Sequence, residues 1–335
     1  MVWDRVDRQV IHALQLDPRV AFSRVADAIG VSEQTVSRRY RRMRQAGLLR
    51  VLGLVDPTAD GVGGYLVRVQ SRPDNVDRLA HALAERPDVT WVTICAGGSE
   101  IVAAVRSRTQ AQRDDLLLQR LPNASHVTNI ATALVLHRFP LNGGSWHGYG
   151  DQLTPDQTRQ LTPAAAAQTR EPAHLNDTDR PLTTMPAADG RTSWAALAHA
   201  AGRSTTYVTD RVEALLASGV LYFDVDLVTE LLGFRTAALL WLTVEPAHLA
   251  TTGHAIATHD EVSFAAAVTG SANLFATVIC RDTPSLYTYL TETLAHTPGI
   301  TGIETTPVLR RVKQKAPTPA TLPASQARSP GRARR

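Results

Sequence analysis

Arginines cluster within a short segment near the N-terminus, from Ser32 to Ala46, beside hydroxyl and amide side chains. Arginine pairs bidentately with guanine and glutamine with adenine, while serine and threonine hydroxyls suit phosphate oxygens. We expect Arg38 and Arg42 to reach base edges, and Ser37 with Arg41 to hold phosphates. The predicted contact surface for double-stranded DNA is Ser32, Gln34, Thr35, Ser37, Arg38, Arg39, Arg41 and Arg42.

The charge of this region supports a polyanionic partner. Residues 1–50 hold ten arginines against five acids, a net of +5, whereas the whole chain of 335 residues has a formal net charge of +4. An uncompensated cluster of like charges on one helix costs stability, which favours a nucleic-acid partner. Two other interpretations stay open: a solvated face with no partner, and a GC-rich coding sequence that favours arginine over lysine.

Three short helices must position these side chains. Apolar spacing predicts a first helix that ends before Asp17 and a second from about Ser23 to Ile29. Gly30 suits a left-handed helix end, and Ser32 suits the N-cap of a third helix that runs to about Ala46. Together they predict a helix-turn-helix.

The chain repeats itself. An offset of 172 residues aligns Asp7 with Asp179, Gly30 with Gly202 and Arg39 with Arg211, and an offset of 173 continues the match later. We interpret this as a tandem duplication. The second copy has lost its charge, since residues 179–222 hold four arginines and four acids. Prolines 181 and 186 also fall in its first helix, so we expect it to bind DNA weakly or to act as scaffold.

A second module follows each helical one. Alternation and apolar runs predict the order β-α-β-β-α-β, typical of a ferredoxin-like sheet with helices on one face. The other face needs cover, which the second copy supplies within the same chain. The expected elements are 65–69, 76–85, 89–94, 101–106, 110–121 and 127–137, then 237–244, 250–258, 262–268, 274–280, 285–296 and 300–311.

The predicted fold class is therefore α+β, with two copies of a winged helix-turn-helix domain and a ferredoxin-like βαββαβ domain. The expected boundaries are 1–52 and 62–139 for the first copy, 140–176 for a linker, 177–224 (degenerate) and 234–313 for the second copy, and 316–335 for a disordered basic tail.

This order of modules resembles the Lrp/AsnC family of feast/famine transcriptional regulators. The resemblance lies in VADAIGVSEQTVSRRYRRMRQAGLLR, from Val25 to Arg50, and in LAHAAGRSTTYVTDRVEALLASGVL, from Leu197 to Leu221. It implies homo-oligomers that assemble through the sheet modules. It also implies a small-molecule effector, commonly an amino acid, bound by the loop between two strands of each sheet. The matching effector-binding residues are Gly97, Gly98, Ser99 and Glu100, then Gly270, Ser271 and Asn273, although each loop could equally be a plain hairpin turn.

Two other functional classes stay open. One is an architectural DNA-binding protein without an effector; the other is an enzyme, since ferredoxin-like dimers also host catalysis. His126, His137 and His147 lack the spacing of a metal site, and Cys95 and Cys280 form no CxxC pair. We therefore expect no catalytic residue, metal or cofactor. Without a long apolar run or a signal peptide, we also expect a cytoplasmic protein and no membrane contact.

Overall fold

The structure is a computed structural model that describes residues 2–55, 64–107, 109–141, 145–150, 152–162 and 175–314. The expected tail, 316–335, and residues 163–174 of the expected linker lie outside this part. The elements of the first half are α1 Arg5–Leu16, α2 Phe22–Ile29, α3 Glu33–Gln45, β1 Leu49–Val55, β2 Tyr65–Ser71, α4 Val76–Ala84, β3 Val89–Cys95, β4 Glu100–Val105, α5 Gln110–Asp114 and β5 Val127–Arg138. Those of the second half are α6 Pro155–Leu161, α7 Arg180–Ala188, α8 Trp194–Ala201, α9 Thr205–Ala217, β6 Leu221–Leu227, β7 Thr236–Val244, α10 Leu249–Ala257, β8 Val262–Val268, β9 Leu274–Cys280, α11 Thr283–Thr288 and β10 Ile300–Gln314.

The helices α1 to α3 form a three-helix unit because each end is capped as its sequence dictates. The Asp4 and Asp7 carboxylates each accept a hydrogen bond from the other residue's backbone N–H, which makes a capping box at the start of α1. Gly30 ends α2 with φ 71°, a left-handed conformation that glycine adopts without strain. The apolar faces of the three helices meet in one core.

The second half repeats this unit as α7, α8 and α9. Its first helix forms despite two prolines, because Pro181 lies in the first turn, where no backbone donor is needed. Pro186 lies inside α7, and its ring packs against Gly53 of β1, where a Cβ would collide with it.

The strand that follows each three-helix unit does not fold into a wing hairpin. Instead, β1 and β6 pair with each other antiparallel, with Leu52 opposite Asp224 at the centre of the register. Because these two residues are equivalent at the offset of 172, a local twofold axis passes between them. The winged part of the expected domain is therefore not confirmed, and among the described residues the strand joins the two halves of the chain.

The two βαββαβ sheets close into one eight-stranded barrel, in the order β10-β3-β4-β2-β5-β8-β9-β7. The seams are equivalent: Val135 of β5 pairs with Val268 of β8, and Val308 of β10 pairs with Cys95 of β3. The second copy thus covers the open face of the first, as predicted from the duplication. Within the described ranges, no helix is both long and apolar enough to cross a bilayer.

Residues 145–150 and 152–162, which lie within the expected linker, pack against the first three-helix unit. Trp146, Tyr149, Leu153 and Leu161 are all buried in the core of that unit. The backbone N–H of Leu153 donates to His12 Nδ1 of α1 at 3.0 Å. The segment therefore stabilises α1 and α2, the helices against which α3 packs.

Candidate nucleic-acid interface

The turn between α2 and α3 fixes which face of α3 is exposed. Ser32 is the N-cap of α3, and its hydroxyl accepts a hydrogen bond from the Thr35 backbone N–H at 3.2 Å. Val36, Tyr40 and Met43 then point into the core. The opposite face of the helix is left exposed to solvent.

Two arginines on this exposed face are available to a partner. Arg38 is exposed and makes no hydrogen bond or ion pair within the described residues. Arg41 is exposed and donates only to Ser37, one turn earlier on its own helix. Gln34 is exposed beside them near the start of α3. These side chains can leave their positions at small cost to meet phosphates or bases.

Arg39 and Arg42 differ from these two, because both are bound to aspartates at the start of α1. Arg39 Nη1 lies 2.7 Å from Asp4 Oδ2 and 3.0 Å from Asp7 Oδ1. Arg42 Nη2 lies 2.5 Å from Asp7 Oδ2 and its guanidinium stacks over Trp3. Burial lowers the pKa of Arg39, but the hydrogen bonds to Asp7 and Asp4 outweigh this and raise it. Both arginines therefore hold α3 against α1.

The second half keeps this internal ion pair. Arg211 of α9 donates from Nε and Nη2 to the two oxygens of Asp179, at 2.9 and 2.6 Å, and Asp179 is 1% exposed. Arg211 and Asp179 stand at the positions of Arg39 and Asp7. Because the pair persists where the basic surface does not, it serves the fold of the unit.

The charge of the exposed helix face has the opposite sign in the second half. Asp210 and Glu213 stand on α9 at the positions that Arg38 and Arg41 occupy on α3. Both acids are exposed and neither forms an ion pair within the described residues. α9 thus presents negative charge where α3 presents positive charge.

Two equivalent arginines fix the helical units to each other. Arg19 donates to the carbonyls of Gly190 and Thr192, at 2.5 and 2.9 Å, and stacks over Trp194 at 4.0 Å. Arg191 likewise donates to the carbonyls of residues 18 and 20 and stacks over the ring of residue 22. With the β1–β6 ladder, these contacts set the positions of α3 and α9 relative to each other.

The first expected effector loop uses its carboxylate internally. Gly97 and Gly98 have φ of 66° and 92°, and the Ser99 hydroxyl donates to the Ala96 carbonyl. Glu100, 2% exposed, accepts a hydrogen bond from Arg68 Nε at 2.6 Å.

Arg68 also links the two halves of the barrel. Its Nη2 lies 2.6 Å from Glu304 of β10, and its guanidinium stacks over Trp241. The hydrogen bond to Glu304 and the pair with Glu100 raise the pKa of Arg68. The Glu100 side chain therefore balances a half-buried arginine, which leaves the backbone of the glycine turn as the accessible part of the loop.

The second expected loop also uses its polar groups for internal hydrogen bonds, here to β7. The Asn273 side-chain amide donates to the Val244 carbonyl at 2.7 Å, and its Oδ1 accepts from the Val244 N–H at 2.8 Å. The Ser271 carbonyl accepts from Thr243, and Gly270 has φ 120°. The Asn273 side chain thus fixes this loop to the backbone of β7.

The histidines and cysteines considered for catalysis lie apart. His147 stacks on His12, with ring centroids 5.5 Å apart, whereas His137 packs on Phe139 beside β5. Among the described residues, no group of three or more His, Cys, Asp or Glu could hold a metal ion. Burial raises the pKa of the Cys95 thiol to about 12, so it is not a ready nucleophile.

Sequence reasoning missed three structural side chains, two in the helical units and one in the barrel. Asp7 and Arg19 carried a signal, because each is repeated at the offset of 172, as Asp179 and Arg191. Arg68 carried none, since its partner Glu304 lies 236 residues away in the chain.

Comparisons with known proteins agree with this architecture. The family model for the Lrp/AsnC ligand binding domain matches residues 65–142 and again 237–318. The model for the AsnC-type helix-turn-helix domain matches residues 4–44. The chain is 30% identical over 142 residues to the HTH-type transcriptional regulator AldR of Mycolicibacterium smegmatis, a match that covers 41% of this chain and 82% of AldR. It is 23% identical over 138 residues to LrpA of Pyrococcus horikoshii, covering 41% of this chain and 98% of LrpA.

Two solved structures of one other protein resemble nearly the whole chain. The crystal structure of the siroheme decarboxylase NirDL matches with a TM-score of 0.63 and 13% identity, and the match covers 94% of each chain. At this identity the likeness concerns the fold alone. It shows that the arrangement of two helical units and two sheet modules recurs in another protein.

Proposed function

This chain belongs to the Lrp/AsnC family of transcriptional regulators, and we propose that it binds double-stranded DNA through α3 of its first half. The observation that carries the proposal is the exposed pair Arg38 and Arg41. Every other cation in the predicted contact surface is already bound by a carboxylate of α1.

The roles within α3 follow from what each side chain is free to do. An α-helix fits the major groove of B-DNA, where an arginine can bind guanine O6 and N7 together. Arg38, with Gln34 beside it, is the base-reading residue. Arg41 and Ser37 hold a phosphate, while Ser32 and Thr35 keep the positive end of the helix dipole ordered and exposed. Arg39 and Arg42 orient α3 through their ion pairs with the start of α1.

In this proposal the unit α7–α9 is a degenerate helix-turn-helix that does not read DNA. Its Asp210 and Glu213 would face phosphates with like charge. Each chain therefore brings one reading helix, and an operator with two half-sites needs two chains whose α3 helices lie about one helical turn of DNA apart, or a multiple of it.

The barrel is the proposed regulatory part. A family match to a ligand-binding domain supports a small effector, and an amino acid is the first class to test. Because Glu100 and Asn273 are used internally, the proposal assigns recognition of a carboxylate to the backbone N–H groups around Gly97, Gly98 and Ser99, and around Gly270 and Ser271. An effector that binds the folded barrel would raise the midpoint of thermal unfolding, and the rise would continue with the logarithm of its free concentration.

The enzymatic alternative has less support. A substrate of drug size or larger needs a pocket of about 300 Å³ or more, lined by convergent polar groups. A groove of about 560 Å³ lies open on α7 and α8, and the charged groups that line it are two arginines, Arg180 and Arg203, with no acid or histidine beside them. The decarboxylase shares its fold with this chain, and an identity of 13% supports no shared reaction.

The test is a DNA-binding titration with fragments from around the gene, with wild type beside Arg38→Ala/Arg41→Ala. The matched control is Arg180→Ala/Arg203→Ala, which removes the same charge from exposed positions of the second unit. The proposal expects specific binding by wild type and the control, and a loss of about tenfold or more in the α3 variant. Equal affinity of the two variants would refute α3 as the contact.

A further inference from the structure

The exposed stripes of α3 and α9 have opposite charge and the same geometry. At equivalent positions α3 carries Arg38 and Arg41, and α9 carries Asp210 and Glu213. All four side chains are exposed, and none forms an ion pair within the described residues. Each pair is spaced i, i+3, which places two like charges about 4.5 Å apart along the helix axis.

The α9 stripe also carries exposed apolar side chains. Tyr207 is 43% exposed and Leu216 is 36% exposed, and they flank the two acids at the same spacing of three residues. An acidic stripe bounded by an exposed aromatic and an exposed leucine suits a protein surface with positive charge. It does not suit nucleic acid.

We propose that the α9 stripe docks on the α3 stripe of a second copy of this chain. Antiparallel apposition brings Arg38 against Glu213 and Arg41 against Asp210. Tyr207 then lies across from Arg44, whose guanidinium already pairs with Asp189 and remains half exposed. Arg41 would give up only its hydrogen bonds to Ser37, and docking breaks no internal ion pair of the four side chains within the described residues.

Charge selects this pairing from the alternatives. Apposition of α3 with α3, or of α9 with α9, would place like charges together, which costs free energy. Since every chain carries both stripes in a fixed relation, a twofold axis lets two chains satisfy both stripes at once. The product is a closed dimer in which both α3 helices are covered.

The consequence for regulation rests on the proposed function. If α3 is the DNA-contact helix, the same two arginines cannot hold DNA and α9 together, so the dimer is a DNA-free form that DNA competes away. The docking itself does not depend on DNA binding and is measured without DNA.

The experiment is sedimentation equilibrium of the full chain at about 0.05 M and about 0.5 M salt, since exposed ion pairs weaken as screening increases. Asp210→Lys/Glu213→Lys and Arg38→Asp/Arg41→Asp should each weaken self-association about tenfold or more at low salt. The chain with all four changes should regain it, because the charges are exchanged. Asp74→Lys/Glu85→Lys changes the net charge as the first variant does, at exposed positions on the flank of α4, and should associate as wild type does.

Superimposable association curves for wild type and Asp210→Lys/Glu213→Lys would overturn the proposal. So would failure of the folded four-residue variant to regain association. That variant also separates the two ideas: it should regain association while still failing to bind DNA. Wild type that associates as expected but binds no DNA would refute the proposed function alone.

Discussion

Asp179 lies 2.6 Å from Arg211 in the second half, and this ion pair repeats the pair of Asp7 with Arg39 in the first. Both aspartates are buried at the start of the first helix of a unit, and both arginines reach back from the third helix. An arginine in a helix-turn-helix can thus stabilise the fold or remain exposed to solvent. Whether a buried aspartate pairs with it distinguishes the two cases.

Replacement of Asp179 by Asn should lower the free energy of unfolding. The change removes the carboxylate that accepts two hydrogen bonds from Arg211, and breaking a pair of this kind costs about 2–4 kcal/mol. Chemical denaturation at neutral pH measures it. Asp210→Asn, on the exposed face of α9, should stay within about 0.5 kcal/mol of wild type. Equal stability of the two variants would remove the structural role assigned to Asp179.

Alanine at Arg38 and at Arg39 should have opposite effects, although the two residues are neighbours. Arg39→Ala removes hydrogen bonds to Asp4 and Asp7 and should cost about 1–3 kcal/mol of stability. Arg38→Ala should leave stability unchanged and cost about 1–3 kcal/mol of DNA-binding free energy. Denaturation and DNA titration of both variants are the measurements. A variant that lost both properties to the same degree would contradict this division.

The order of elements was predictable because each depends on local patterns. Apolar spacing and the Gly30–Ser32 turn indicated the helical unit, and alternating runs indicated the βαββαβ order. The ion pairs of Asp7 with Arg39 and Arg42 were not predictable from spacing. The sequence pattern around an arginine on a helix surface is the same whether the side chain faces solvent or a neighbouring helix. Only the repetition of both residues in the second half carried that information.

The packed residues 145–150 and 152–162 were missed for a different reason. Its surroundings are rich in proline, glycine and alanine, which is typical of a linker. The burial of Trp146 and Leu161 depends on tertiary contacts with α1 and α2 that no local pattern encodes. The pairing of β1 with β6 in place of a wing is equally non-local, since it joins residues about half the chain apart.

Replacement of Arg68 by Met should destabilise the barrel strongly. Glu100 would be left buried without its partner, and an uncompensated buried charge costs about 3–5 kcal/mol. The double variant Arg68→Met/Glu100→Gln should recover most of this loss, because no buried charge remains. A double-mutant cycle by chemical denaturation measures the coupling. Additive losses would mean that the two side chains do not interact as the distance of 2.6 Å indicates.

Stability should fall as the pH drops from about neutral, because His12 is held neutral in the folded chain. Burial, with a smaller contribution from the charge of His147, lowers the pKa of His12 from 6.5 to about 4. Its Nδ1 accepts the Leu153 N–H, which a protonated Nδ1 cannot do. The unfolded chain therefore binds a proton between these two values that the folded chain does not. The stability from this residue is complete above pH 6.5 and is lost as the pH falls toward 4.

At pH 5 the expected loss from this residue is about 2 kcal/mol, at about 1.4 kcal/mol per pH unit below its unfolded pKa. Urea denaturation at neutral pH and at pH 5 measures it, with His12→Asn beside wild type. The variant should lose stability at neutral pH and show a much weaker dependence on pH, whereas His199→Asn, on the exposed side of α8, should keep the wild-type dependence. If wild type and His12→Asn lost stability equally between the two conditions, the anchoring of residues 145–162 to α1 would not be the element that acid releases.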